Sequence, residues 1–312
     1  DLLDAVFKVL DRIEGSYALG IVCKDFPDTL IAARKDSPLV VGIGEGENFI
    51  ASDMPAILNY TKNVYLLDDK EVAIIKADSI EILNDKKEPV KKEVFTYNWD
   101  IEAAEKNGYD HFMLKEIYEQ PKVVKDNISS RFSDDGKSIK LDGIKLGKKE
   151  LENINRIYIV ACGTAFYAGQ VGKFLIERIA RIPVNSEVAS EFRYKDPLID
   201  EHTLMIVVSQ SGETADTLAA MRLAQSKGAR VLGVVNAVGS SIAREADDVL
   251  YTLAGPEIAV ASTKAFSAQV VAMYLLTLHI AQELNKISPE EFAKIKVALE
   301  ELPSLVNNIL TK

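Results

Sequence analysis

Between residues 204 and 217 an apolar run gives way to Ser209-Gln210-Ser211-Gly212-Glu213-Thr214, and a helical pattern opens at Ala215. Three hydroxyls and a glycine in six positions, where a strand enters a helix, suit an anion. The first N–H groups of a helix lack partners within the helix, and its dipole is positive at that end. Ser209, Ser211 and Thr214 add hydroxyl donors, and Gly212 is expected to let the main chain approach the ligand closely. A phosphate monoester fits this set. The loop contains no lysine, which separates it from a nucleotide-binding Walker loop. Capping the helix would need one hydroxyl, not three.

Two further loops have related chemistry. Cys162-Gly163-Thr164-Ala165 follows the apolar run 156–161, and Ala261-Ser262-Thr263-Lys264 precedes a long apolar helical stretch. Gly163 and Thr164 are expected to line a pocket. Cys162 has no histidine nearby in sequence to activate its thiol, so it reads as a small residue at a strand end rather than a nucleophile. The loop at 261–264 reads equally as pocket lining or as a helix cap. The candidate binding set is Cys162, Gly163, Thr164, Ala165, Ser209, Gln210, Ser211, Gly212, Thr214, Ala261, Ser262 and Lys264. No catalytic group is expected within the chain. His111, His202 and His279 stand alone, with no second ligand at metal spacing, so neither a metal nor a cofactor is expected. Gly42-Ile43-Gly44-Glu45-Gly46 has the glycines of a dinucleotide fingerprint, but no helix follows it.

The elements needed to position these loops can be read from periodicity. From residue 155 onward, apolar runs at 156–161, 184–188, 204–208, 231–235 and 249–251 alternate with helical patterns at 167–181, 215–227 and 241–246. Helices about 263–284 and 289–312 close the chain. Strands buried on both faces with helical crossovers predict a doubly wound parallel α/β sheet. The N-terminal region differs. A helix over 1–14 is followed by seven short β-rich runs (17–23, 30–33, 39–43, 48–51, 64–67, 72–75 and 80–83), separated by turn formers such as Asp25-Phe26-Pro27-Asp28. This predicts an antiparallel sheet in a partial α+β domain. The charged stretch 84–110 reads as a linker that packs through Phe95, Tyr97 and Trp99. A helix over 111–128 is expected to break near Pro121.

Composition narrows the function classes. The chain has 312 residues and a formal net charge of -10, the wrong sign for a nucleic-acid partner. Residues 270–281, the most apolar stretch, are too few to cross a bilayer and read as a buried helix. The acidic, amphipathic start is wrong for a signal peptide. Two distant cysteines, Cys23 and Cys162, give no disulfide framework and suit a reducing cytoplasm. The start without methionine suggests an excerpt of something longer, or a processed chain.

Several segments together resemble one family. Ile159-Val160-Ala161-Cys162-Gly163-Thr164, Ser209-Gln210-Ser211-Gly212-Glu213-Thr214-Ala215-Asp216-Thr217, Gly255-Pro256-Glu257 and Ala261-Ser262-Thr263-Lys264-Ala265-Phe266 are similar to the first sugar-isomerase (SIS) domain of the glutamine–fructose-6-phosphate aminotransferases. Ser190-Glu191-Phe192-Arg193-Tyr194 and Lys115-Glu116-Ile117-Tyr118-Glu119-Gln120-Pro121 match too. Gly15-Ser16-Tyr17-Ala18 through Glu47-Asn48-Phe49-Ile50-Ala51-Ser52-Asp53 resemble the C-terminal half of that family's glutaminase domain. The resemblance implies four segments: 1–88 from the glutaminase domain, 89–110 as linker, 111–288 as the first SIS domain, and 289–312 leading to a second.

It also implies an activity, the conversion of fructose 6-phosphate and glutamine to glucosamine 6-phosphate and glutamate in a cytoplasmic homodimer. Ser209, Gln210, Ser211 and Thr214 would hold the sugar phosphate, and Thr164 with its neighbour would touch the sugar. The family usually has serine where this chain has Ala165, which leaves that position only its backbone N–H. The glutaminase cysteine would lie upstream of Asp1, and the sugar-site base and a second SIS domain beyond Lys312. The alternative is a non-catalytic sugar-phosphate sensor. Such regulators usually carry a basic helix-turn-helix, which the antiparallel N-terminal region is unlike.

Overall fold

The computed structural model describes residues 2–97 and 105–312. They fall into two compact units, Asp1–Glu105 and Lys106–Lys312.

The first unit opens with helix α1 (Leu2–Leu10), followed by strands β1 (Tyr17–Cys23), β2 (Phe26–Lys35), β3 (Val40–Ile43), β4 (Asn48–Ala51), β5 (Asn63–Leu66), β6 (Val72–Ile75), β7 (Ile80–Leu83) and β8 (Phe95–Thr96). The sequence predicts antiparallel strands in one sheet. The strands are antiparallel but form two sheets, in the orders β1-β2-β6-β7 and β4-β3-β5-β8. The reason is visible in β2, where alternate side chains face different cores. Ile31 and Ala33 pack with Val6 and Phe7 of α1, while Ala32 packs with Val41 and Leu67 of the other sheet's side. A strand apolar on both faces needs a layer on each.

Two local expectations change. The β1–β2 turn is at Lys24 and Asp25, and Pro27 lies inside β2. Proline is tolerated there because β6 pairs only with residues 30–33, so the start of β2 has a neighbour on one side alone. Nor does the whole of 84–110 stand apart. The Val90 N–H donates to the Ile82 carbonyl at 2.8 Å. Val64 pairs with Phe95, and Tyr97 is buried with its ring 4.8 Å from that of Phe95. Trp99 lies outside the described residues.

The second unit runs α2 (Phe112–Ser129), α3 (Lys148–Glu152), β9 (Arg156–Ala161), α4 (Gly163–Leu175), a π-helical turn (Ile176–Ala180), β10 (Val184–Val188), α5 (Ala189–Phe192), β11 (Thr203–Ser209), α6 (Ala215–Ser226), β12 (Arg230–Val235), α7 (Ser241–Glu245), β13 (Asp248–Tyr251), α8 (Lys264–Glu283) and α9 (Pro289–Leu310). All five strands are parallel, in the order β10-β9-β11-β12-β13. This is the doubly wound α/β sheet that the apolar runs predict. Ile157, Ile159, Leu204 and Ile206 pack against α8 on one face, and Tyr158, Val160, Met205 and Val207 against α5 and α6 on the other.

α8 is long and apolar enough to cross a membrane by composition, but most of that apolar window is buried in this unit's core. α2 continues through Pro121 instead of breaking. The Ile117 carbonyl, which loses its usual N–H partner there, accepts from the Gln120 side chain at 3.2 Å. That side-chain bond fills the gap proline leaves.

Candidate functional site

From β9 the chain crosses through α4 to β10 on one side, then returns to β11 on the other side of β9. The connections thus leave in opposite directions above the carboxyl ends of β9 and β11, where open α/β sheets bind ligands. Val208 pairs with Ala161, so Ser209 and Cys162 leave the sheet side by side. Above them lies a cleft of about 450 Å³ lined by residues 162–165, 208–211, 214, 260–262 and 269. Its size suits a small metabolite. Most of the sequence-derived set meets here: Cys162, Gly163, Thr164, Ala165, Ser209, Gln210, Ser211, Thr214, Ala261 and Ser262.

Two members of that set do not line the cleft. Lys264 is 3 % exposed, and its Nζ lies 2.6 Å from Glu119 Oε2 on α2. Its charge is satisfied by an acid 145 positions away, which spacing cannot reveal. Gly212 is absent for a different reason. Its φ is +65°, and a Cβ there would fall 2.1 Å from Ser240 Oγ. The turn and the neighbouring loop are enough to require a glycine here. Gly163 does face the cleft. Its φ is +59°, and nothing lies within 4 Å of where a Cβ would stand.

The hydroxyls are partly occupied in building the loop. Ser209 Oγ accepts from the Gly212 N–H at 3.0 Å and lies 3.1 Å from Thr214 Oγ1, while Ser211 Oγ accepts from the Glu213 N–H at 3.2 Å. The Gln210 carbonyl accepts from the N–H groups of Asn236 and Ala237. Neither Thr214 at the start of α6 nor Cys162 at the start of α4 makes a side-chain cap. The capping explanation for these hydroxyls therefore does not hold at α6. Glu213, the acid within the loop, turns to α7 and accepts from Ser241 N–H at 2.7 Å and Ser241 Oγ at 2.8 Å.

The third loop is organised by Glu257, which the resemblance includes in Gly255-Pro256-Glu257 without giving it a role. Its Oε1 accepts from the N–H groups of Thr263 and Ala265 at 3.0 and 3.1 Å, and from Ser262 Oγ at 3.3 Å. This carboxylate, not the hydroxyls of 261–263, caps α8. Glu116 of α2 holds the same segment by accepting from the Ile258 and Ala259 N–H groups at 2.7 and 3.0 Å. Asn236 joins in, donating to the Gly255 carbonyl at 2.7 Å and accepting from the Ala254 N–H at 2.8 Å. For Asn236 the sequence signal is an asparagine directly after a strand. Val260 and Gln269 also line the cleft without having been anticipated.

Chemically the cleft offers donors and no base. No lysine, arginine or histidine is among its lining residues. Attraction for an anion comes from the N-termini of α4 and α6, each contributing about 0.3–1 kcal/mol at an exposed site and more when partly buried. Cys162 Sγ has Thr217 Oγ1 at 3.9 Å and no basic partner among those lining residues. Among the described residues no group of three acids, histidines or cysteines could hold a metal. His202 and His279 are bound to the carbonyls of Asn153 and Leu146, at 3.0 and 2.8 Å.

Comparison with known proteins adds identity to this geometry. Residues 150–279 match the SIS domain family. The chain is 57% identical over 310 residues to the glutamine–fructose-6-phosphate aminotransferase [isomerizing] of Clostridium tetani, covering 99% of this chain and 51% of that protein. A Thermus thermophilus enzyme of the same name is 46% identical over 312 residues, covering all of this chain and again 51% of the relative. The chain spans about half the length of the curated relatives it matches. Among solved structures, the C-terminal domain of glucosamine-fructose-6-phosphate aminotransferase from Francisella tularensis aligns with a TM-score of 0.61 at 42% identity, over 64% of this chain and 56% of that one.

Proposed function

We propose that this chain, which belongs to the glutamine–fructose-6-phosphate aminotransferase family, seats the phosphate of fructose 6-phosphate where α4 and α6 begin. One observation carries the reading: two helix N-termini without side-chain caps border a single cleft whose lining supplies hydroxyls and no cation. Ser209, Gln210, Ser211 and Thr214 form the phosphate seat. Gly163, Thr164 and the backbone N–H of Ala165 face the sugar, with Cys162, Ala261 and Ser262 as walls. Gly212 shapes the seat from behind, and Lys264 fixes α8 to α2.

The whole protein would convert fructose 6-phosphate and glutamine to glucosamine 6-phosphate and glutamate, as a cytoplasmic homodimer without cofactor, membrane or nucleic acid. The first unit would be part of the glutaminase domain, and the base that moves the sugar's proton would come from outside this chain. The relatives match along 99% of the chain, the antiparallel unit included, which favours this over a sugar-phosphate sensor sharing only the SIS domain.

Ser211 and Thr214 provide the test, because Ser209 is too engaged in the loop. A hydrogen bond to a charged group contributes about 1.5–3 kcal/mol, so Ser211→Ala or Thr214→Ala should weaken fructose 6-phosphate binding roughly tenfold to a hundredfold. Unphosphorylated fructose should not bind. Unchanged calorimetric affinity in both folded variants would remove the phosphate seat.

A further inference from the structure

Helix α8 is buried along most of its length, and its buried polar residues are Lys264, Gln269 and Thr277. Lys264 is paired with Glu119, and Thr277 Oγ1 donates to the Met273 carbonyl at 2.7 Å. Gln269 is different. Its side chain is 2 % exposed, and its Oε1 is buried with no hydrogen-bond partner. A buried carbonyl oxygen without a donor is unfavourable, and native proteins rarely leave one. Its buried neighbours on the helix, Ala265, Ala268 and Ala272, carry no hydrogen-bonding side chain. Gln269 also lines the cleft, on an element separate from both loops of the phosphate seat.

The missing partner must be a donor. The ionised phosphoryl group of a sugar phosphate, a monoester dianion, offers only acceptors, so it cannot satisfy this oxygen. A sugar hydroxyl can. We propose that Gln269 accepts a hydrogen bond from a hydroxyl of the hexose chain, making it a specificity residue that separates a hexose phosphate from phosphate alone. The inference rests on the phosphate-seat reading and adds the class of contact made by the α8 wall. A site built to bind a hydroxyl discriminates strongly against ligands lacking it, because its polar group is then left unpaired.

The test titrates the full chain with inorganic phosphate and with fructose 6-phosphate, comparing wild type with Gln269→Leu and Gln269→Met. Methionine keeps the length of the side chain and serves if leucine does not fold. Both variants should bind inorganic phosphate within about twofold of wild type and fructose 6-phosphate about tenfold more weakly. Thermal stability should be unchanged or higher, since an unpaired carbonyl is replaced by apolar atoms. Deoxy analogues of the sugar phosphate extend the comparison: the one lacking the contacted hydroxyl should bind weakly to wild type and no worse than the parent sugar phosphate to Gln269→Met. Wild-type affinity for fructose 6-phosphate in a folded variant would overturn the role of Gln269 while leaving the seat intact. Equal loss for both ligands would place the amide on the phosphate and also overturn it. Failure of wild type to bind either ligand would remove the seat, and this inference with it.

Discussion

Gly212→Ala should cost stability for a reason that can be taken apart atom by atom. At φ +65° an alanine carries left-handed strain of roughly 1–2 kcal/mol. Its Cβ would also meet Ser240 Oγ at 2.1 Å and Ser240 Cβ at 2.6 Å, distances at which something must move. Overpacking of this kind costs about 1–3 kcal/mol, giving a combined loss of roughly 2–5 kcal/mol. Ser240 precedes α7 without a side-chain cap bond, and its Oγ has no partner, so changing Ser240 alone should cost little. The pairing with second-site changes is diagnostic. Ser240→Ala keeps the Cβ at 2.6 Å and should rescue little, whereas Ser240→Gly removes both clashing atoms and should leave only the backbone strain. Urea denaturation followed by far-UV ellipticity would measure this, since most of the helix lies in the second unit. A Gly212→Ala loss below about 0.5 kcal/mol would refute the reasoning, as would equal rescue by alanine and glycine at 240.

Two further outcomes follow from the hydrogen-bond geometry. Glu257→Ala leaves the Thr263 and Ala265 N–H groups without their acceptor, so α8 should lose about 1–3 kcal/mol, and amide exchange at the two positions should quicken; unchanged exchange would sink the assignment. Glu177 is held below its ordinary 4.5 first by the hydrogen bond from Lys173, then by the Val184 N–H. Its stabilisation is therefore present above about pH 4.5 and lost as pH falls through its lower folded value. Glu177→Gln should destabilise the chain at neutral pH and flatten the stability profile below pH 4.5; an unchanged acid limb would contradict this.

Much of the second unit could be read from the sequence because a parallel strand buried on both faces must be a continuous apolar run. Such runs announce β9, β11 and β12 directly. The hydroxyl loop after β11 was legible for a similar reason: composition and position together imply donors at a helix start. The partners of those donors were not. Lys264 looked like a site residue beside Ser262, yet its charge is met by Glu119 from a distant helix. Gly212 reads from sequence as room for a ligand, and the clash that its missing Cβ avoids is with Ser240, on a distant loop. Gln269 sits inside an apolar helix, where one amide among alanines carries no local pattern. The antiparallel strands were visible, but their division into two sheets depends on which face each core covers. That is a tertiary fact, and alternation within one strand cannot supply it.

In the proposed binding mode a sugar phosphate sits across the carboxyl ends of β9 and β11, held by the starts of α4 and α6. Amide chemical shifts of the isotope-labelled chain, recorded during titration with fructose 6-phosphate, test this most directly. The largest changes should fall on Gly163, Thr164, Ala165, Ser211 and Thr214; inorganic phosphate should move chiefly the 209–214 amides, with smaller changes at the start of α4, and unphosphorylated fructose should move none. Shifts centred elsewhere in the chain, or an equal response to fructose and fructose 6-phosphate, would contradict it.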